Sequence, residues 1–229
     1  MTHDWDCEAA RQRFEQAIEV NPNEARAHAW YAIFLLYFEK QFDEALERAR
    51  RAEELDPLDW QVRSVAWWVL WVRGEYERYL QEALEVISRK PDVAHALAYY
   101  WAGSGYVLTG RPKEGVAVGE RAVELGGRTH FYLSNLAVAH ARAGNAAKAR
   151  EILAELEERT KTGAALSSWR ARIHIALGER DETLDALERA YEEHDRALFH
   201  VAGDPLFDEV RSHPRFTALL GKMGLEKWC

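Results

Sequence analysis

The sequence predicts an all-α chain built from repeated helix pairs, and three observations carry that prediction. Ala, Leu, Glu and Arg dominate, and apolar residues recur at spacings of three and four, the period of an amphipathic helix, while strand signals are scarce. Pro22, Pro57 and Pro91 each close an Ala/Leu/Glu-rich or charged segment ("EQAIEVNP", "RRAEELDP", "EVISRKP") at separations of 35 and 34 residues. Gly74, Gly110, Gly144 and Gly178, in "VRGEY", "LTGRP", "RAGNA" and "ALGER", follow one another after 36, 34 and 34 residues. Two ladders with one period imply a helix, a short turn at Gly and a second helix ended at Pro.

The elements follow in order. "DCEAARQRFEQAIEV", with Ala10, Phe14 and Ala17, matches the second helix of a unit ending at Pro22, so residues 1–22 are a half-repeat. Its first helix is missing from the pattern, and a terminal repeat leaves an apolar face for further repeats or another surface to cover. Residues 23–200 hold five helix–turn–helix repeats. Small residues punctuate them: Ala45, Ala49 and Ala52 before Pro57, then Gly115, Gly119 and Ala122, and later Ala137 and Ala149. Residues 201–229 read as a cap. There "GDPLFDEV" offers Asp204 as N-cap with Pro205 at the first helical position, and "HPRFTALLGKM" puts Phe216, Leu219, Leu220 and Met223 on one face.

In the unit from Ala96, the large, small and tyrosine positions of the tetratricopeptide repeat fall on Tyr99, Gly103 and Tyr106, with the turn at Gly110. With its period, the chain resembles that repeat family. The resemblance implies a right-handed α-α superhelix, a single solenoid domain over 1–229. Two longer segments, "HDWDCEAARQRFEQAIEVNPNEARAHAWYAIFL" and "ERAYEEHDRALFHVAGDPLFDEVRSHPRFTALLGKMGL", are similar to the carboxy-terminal tetratricopeptide region of bacterial signalling proteins. In that family the region is joined to a winged-helix domain, a serine/threonine kinase or a nucleotide cyclase. This sequence contains no glycine-rich phosphate loop and no "HRD" or "DFG". The resemblance therefore implies a docking or sensing module without its effector.

Family registry places the first helix of each unit along a concave groove and implies its lining: Trp30, Phe34 and Tyr37; then Ser64, Trp68 and Trp71; then Tyr100 and Ser104; then Ser134, Val138, Ser168 and Arg172. Asn135 falls where peptide-binding members place an Asn that bonds a ligand backbone; a buried amide could instead satisfy a helix end. The Lys and Asn of a carboxylate clamp are replaced by aromatics and Ser. "AWYAIFLLYF", Ala29 to Phe38, then reads as a helix with two apolar faces, one on its partner helix and one on the groove. Such a groove can grip an apolar, proline-rich or cationic segment. The same aromatics can equally form core or a self-association surface.

Composition excludes several other classes. The 229 residues carry 30 Lys+Arg against 38 Asp+Glu, a formal charge of -8, with no basic block to bind a phosphate backbone, so nucleic acid is not expected. Cys7 and Cys229 support neither a disulfide framework nor a metal site. Nine scattered histidines contain no His-Glu-x-x-His pair; His140 and His174 occupy equivalent places in successive units and read as helix-contact residues. Ser104, in "AGSGY", lacks the spacing of a nucleophile elbow. No metal, cofactor or catalytic group is expected. The two greasy runs, Ala29 to Phe38 and Val65 to Val72, are too short to span a bilayer, and "MTHDWDCEAARQ" has no signal-peptide core, so a cytoplasmic protein is expected. The leading expectation is a non-catalytic scaffold for a protein or peptide partner. The alternatives are a homo-oligomerising structural module and a small-molecule sensor or enzyme using the aromatic cavity.

Overall fold

The computed structural model describes residues 7–89, 95–160 and 166–228; Pro91 and Cys229 lie outside them. Among the described residues there are twelve α-helices and no strand. The chain divides into two compact units, Met1–Glu75 and Tyr76–Cys229.

The first unit holds α1 (Cys7–Val20), α2 (Ala25–Phe34) continued by a π-turn over Leu35–Glu39, α3 (Phe42–Leu55) and α4 (Trp60–Val72). Its second helix of a pair, α3, is strongly amphipathic, and Ala45, Ala49 and Ala52 are fully buried, because methyl-sized side chains let the neighbouring helices approach closely. Asp59 caps α4 by accepting from the backbone N–H groups of Gln61 and Val62, at 2.9 and 3.3 Å. Hydrogen bonds from Arg26 and these two N–H groups outweigh desolvation and hold the Asp59 carboxyl below its ordinary range.

The second unit holds α5 (Tyr76–Arg89), α6 (Ala96–Leu108), α7 (Pro112–Gly126), α8 (His130–Arg142), α9 (Ala146–Thr160), α10 (Ser167–Leu177) and α11 (Arg180–Glu192). After α11 the chain forms short 3-10 turns over Leu198–Ala202 and Pro205–Val210, then α12 (Pro214–Lys222). The Asp204 side chain accepts from the Leu206 N–H at 3.0 Å, with Pro205 at the first helical position. Phe216, Leu219, Leu220 and Met223 are buried together with Phe207 and Trp228. At Gly105 a Cβ would lie 2.9 Å from the Leu80 Cβ, so α5 and α6 pack as closely as they do only without one.

The turn ladder shows one departure that bears on function. Gly74, Gly110, Gly144 and Gly178 all adopt left-handed φ between 76 and 84°. Each turn closes through an N–H to the carbonyl five residues back: Glu75 to Leu70, Arg111 to Tyr106, Asn145 to His140 and Glu179 to His174. In the first unit the left-handed place is taken by Lys40, φ 58°, and the closing bond runs from Gln41 to Leu35, six residues back. The cause is one extra residue. α2 and α4 begin 35 residues apart, at Ala25 and Trp60, whereas Lys40 and Gly74 are 34 apart. The π-turn absorbs the surplus. Upstream of it, each residue of α2 therefore corresponds to the residue 35 later in α4, so that Trp30 matches Val65 and Ala29 matches Ser64.

Candidate functional site

In the first unit the expected groove aromatics divide by environment. Phe34 is buried in an aromatic cluster with Phe14 and Phe38, at centroid distances of 5.7 and 5.6 Å. Tyr37 and Trp71 are buried as well. Tyr31, beside them, donates to Glu15 at 3.0 Å, and burial together with that carboxylate pushes its phenol up to about 12. Trp68 is only half-buried. Its indole Nε1 donates to the Tyr37 hydroxyl at 2.9 Å, and the rings meet edge-on at 6.0 Å. This arrangement joins α2 to α4 and fixes the Trp68 rotamer while part of its surface stays accessible. Trp30 is 57% exposed, one position away from the rung that a strict 34-residue registry assigns to it.

In the second unit the polar candidates are engaged with the chain itself. Asn135 Nδ2 donates to the Tyr100 carbonyl at 2.9 Å and straps α8 to α6. Ser134 Oγ donates to the Phe131 carbonyl at 3.2 Å. Ser168 donates to Asp195 Oδ2 from both its N–H and its hydroxyl, at 3.1 and 2.6 Å. Arg172 Nη1 meets Asp204 Oδ2 at 2.5 Å, both side chains buried. Ser64, Ser104 and Val138 are buried. Tyr100 is buried and stacks on Phe131 at 3.9 Å, and Phe131 meets Trp169 edge-on at 5.4 Å, a ladder across α6, α8 and α10.

Beside that ladder lies a small recess of about 10 Å³, room for about one water molecule, lined by Ser168, Trp169, Arg172, Ala197, His200, Val201 and Asp204. Burial, with the Arg172 guanidinium adding to it, pushes the His200 imidazole down to about 3, so it is neutral at pH 7. Burial raises the Asp204 carboxyl while Arg172 acts in the opposite sense. Ser168 bonds a carboxylate and no imidazole, so no nucleophile–base pair forms there. His140 is buried and its pKa falls for that reason; His174 Nδ1 lies 2.8 Å from Glu179 Oε2. Among the described residues no group of three His, Cys, Asp or Glu side chains is placed to hold a metal ion. No helix of the described residues is long and apolar enough to cross a membrane.

Sequence reasoning did not single out Phe131 and Trp169, nor Asp195 as the acceptor for Ser168. A 34-residue step from Tyr100 reaches Ser134, and the stacking partner sits three residues earlier, on the adjoining helical face. Asp204 is legible as a cap but not as the partner of Arg172, 32 residues away.

No protein-family model matches the chain, and no curated protein matches it in sequence. Solved structures do match. A tetratricopeptide protein of Thermus thermophilus is 18% identical with a TM-score of 0.57, over 78% of this chain and 98% of that one. A tetratricopeptide repeat protein of Parabacteroides merdae is 14% identical with a TM-score of 0.55, over 97% and 92%. An APC/C hetero-tetramer structure is 14% identical with a TM-score of 0.63, over 96% of this chain and 42% of that one. With its helix pairs, left-handed turn ladder and 34-residue period, the chain has the all-α tetratricopeptide repeat fold.

Proposed function

We propose that the chain is a non-catalytic interaction module that grips a peptide or protein segment on the inner faces of its first helices, with Trp68 as the anchor in the first unit. The observation that carries this reading is the half-exposed Trp68 indole held by the Tyr37 hydroxyl. A large aromatic ordered before binding loses little conformational entropy on contact, which is why such residues dominate interface energetics. The fold favours the same reading, since neighbouring first helices within one unit offer a surface for an extended or helical segment. The resemblance to carboxy-terminal regions of bacterial signalling proteins supports a docking or sensing role in signalling.

The test is affinity capture with the wild-type chain and a Trp68→Ala variant of matched thermal stability. Partner proteins retained by the wild type and lost from the variant are the expected result. An identical retained set would remove Trp68 from the interface and the reading with it.

A further inference from the structure

The function proposed above seats a peptide on the inner faces of first helices, and in the second unit the chain lays a segment of its own there. The positions that registry assigns to that face, Tyr100, Ser104, Ser134, Val138, Ser168 and Arg172, are all buried. The stretch between α11 and α12 crosses them. Asp195 accepts from the Ser168 hydroxyl at 2.6 Å, Asp204 pairs with Arg172 at 2.5 Å, and Glu209 pairs with Arg142 of α8 at 3.2 Å. Burial raises the phenols of Tyr76, Tyr79 and Tyr100, and the Asp204 carboxylate adds to the rise in all three, so it stands near α5 and α6 as well as α10.

The segment is built as a strap between two held helices. Arg215 of α12 pairs with Asp185 and Glu188 of α11, both at 2.6 Å. Between them Leu198–Ala202 and Pro205–Val210 form only 3-10 turns, whose hydrogen bonds are poorer than those of an α-helix. The strap is entered through His194 at φ 53°, a left-handed conformation that a Cβ disfavours. It leaves a water-sized gap against Trp169 and Arg172.

We propose that residues 198–210 are a self-ligand that lifts from this face, and that the face then takes an acidic segment of another polypeptide with the same chemistry: carboxylates placed to meet Ser168 and Arg172, followed by apolar residues in the places of Leu206 and Phe207. The charges that select it are local. Arg172, Arg142 and, at 3.7 Å, Arg180 all meet carboxylates of the strap, so lifting it uncovers a cationic face on an acidic chain. The acids beside that face are engaged elsewhere, Glu179 by Arg150 and Glu193 by Ser167. The proposal shares with the function above the premise that first helices grip a peptide on their inner faces.

The test uses the full chain and a fluorescein-labelled synthetic peptide of residues 195–211, followed by fluorescence anisotropy. The tethered strap competes, so weak binding to the wild type is expected. Binding strengthens at least tenfold in Asp204→Asn, which keeps a capping side chain and discards the charge that meets Arg172. The gain is lost when Arg172→Met is added, and when both aspartates at positions 195 and 204 of the peptide are replaced by asparagine. Equal or absent binding in wild type and Asp204→Asn, a gain that survives Arg172→Met, or equal binding of the asparagine peptide overturns the proposal. Hydrogen exchange of the wild-type chain needs no variant: the amides of residues 198–210 are expected to exchange through an opening that leaves α8 and α10 protected in low urea. If they share the protection and urea dependence of α10, the strap does not lift and the proposal fails. These measurements address α8 and α10, and the capture experiment addresses Trp68 of α4, so either reading can fail alone.

Discussion

The first unit leaves a tryptophan of its outermost first helix in solvent, whereas the second unit folds its own chain over its last one. Past α11, Asp195 accepts from Ser168 and Asp204 pairs with Arg172, two polar side chains that α10 presents one turn apart. Arg211 then ties the covering segment down through the carbonyls of Ala202 and Asp204. Nothing comparable meets α1 and α2 among the described residues. The difference teaches that a first helix can have its outer face covered by its own chain or left accessible. At α10 buried carboxylates meet the polar side chains, and at α2 Trp30 stays accessible.

The largest test of this contrast is Asp204→Ala. It removes the cap of the Pro205–Val210 turn and strands the Arg172 guanidinium in a buried site, so a loss of about 3–5 kcal/mol is expected in urea unfolding. A loss below about 1 kcal/mol would show that the end is not held closed by this pair.

A smaller effect comes from His200. Its folded pKa, about 3, lies below the unfolded value of about 6.5, so the unfolded chain binds a proton that the native chain does not in the window between them. The stability it contributes is complete above pH 6.5 and is lost as pH falls toward 3. Part of the residue remains accessible, and screening reduces the effect to roughly 2 kcal/mol between pH 6.5 and pH 4. Stability measured against pH should therefore fall less steeply in His200→Gln than in the wild type; parallel curves would contradict the assignment.

The smallest expected effect is a gain in the first unit. Lys40 holds a left-handed conformation that glycine adopts freely, so Lys40→Gly should stabilise by about 0.5–1 kcal/mol, read as a rise in melting temperature. A decrease would mean that the Lys40 side chain contributes more than its backbone costs.

Much of this architecture is legible from spacing, because a turn that needs positive φ selects glycine and a helix end tolerates proline. Gly74, Gly110, Gly144 and Gly178 therefore mark their turns in the sequence as clearly as in the structure. Lys40 breaks the code. A lysine carries no turn signal, and the residue that makes α2 longer is absorbed silently by a widened hydrogen-bond ring. The lining was harder to read for a different reason. Period places Phe34, Tyr37, Trp68 and Trp71 on helical faces, but whether a face meets core or solvent depends on neighbours distant in sequence, and only Trp68 of these four keeps appreciable surface. Asn135 and Arg172 show the same limit, since their partners Tyr100 and Asp204 lie 35 and 32 residues away.

The clasp in the second unit is also a joint between two stretches of chain distant in sequence. Its recognition demands are brief: a serine and an arginine four residues apart on a first helix, met by two aspartates nine residues apart on the stretch of chain that follows. A change at Ser168 or Arg172 is therefore felt along the chain from Asp195 to Asp204 as well as in α10 itself.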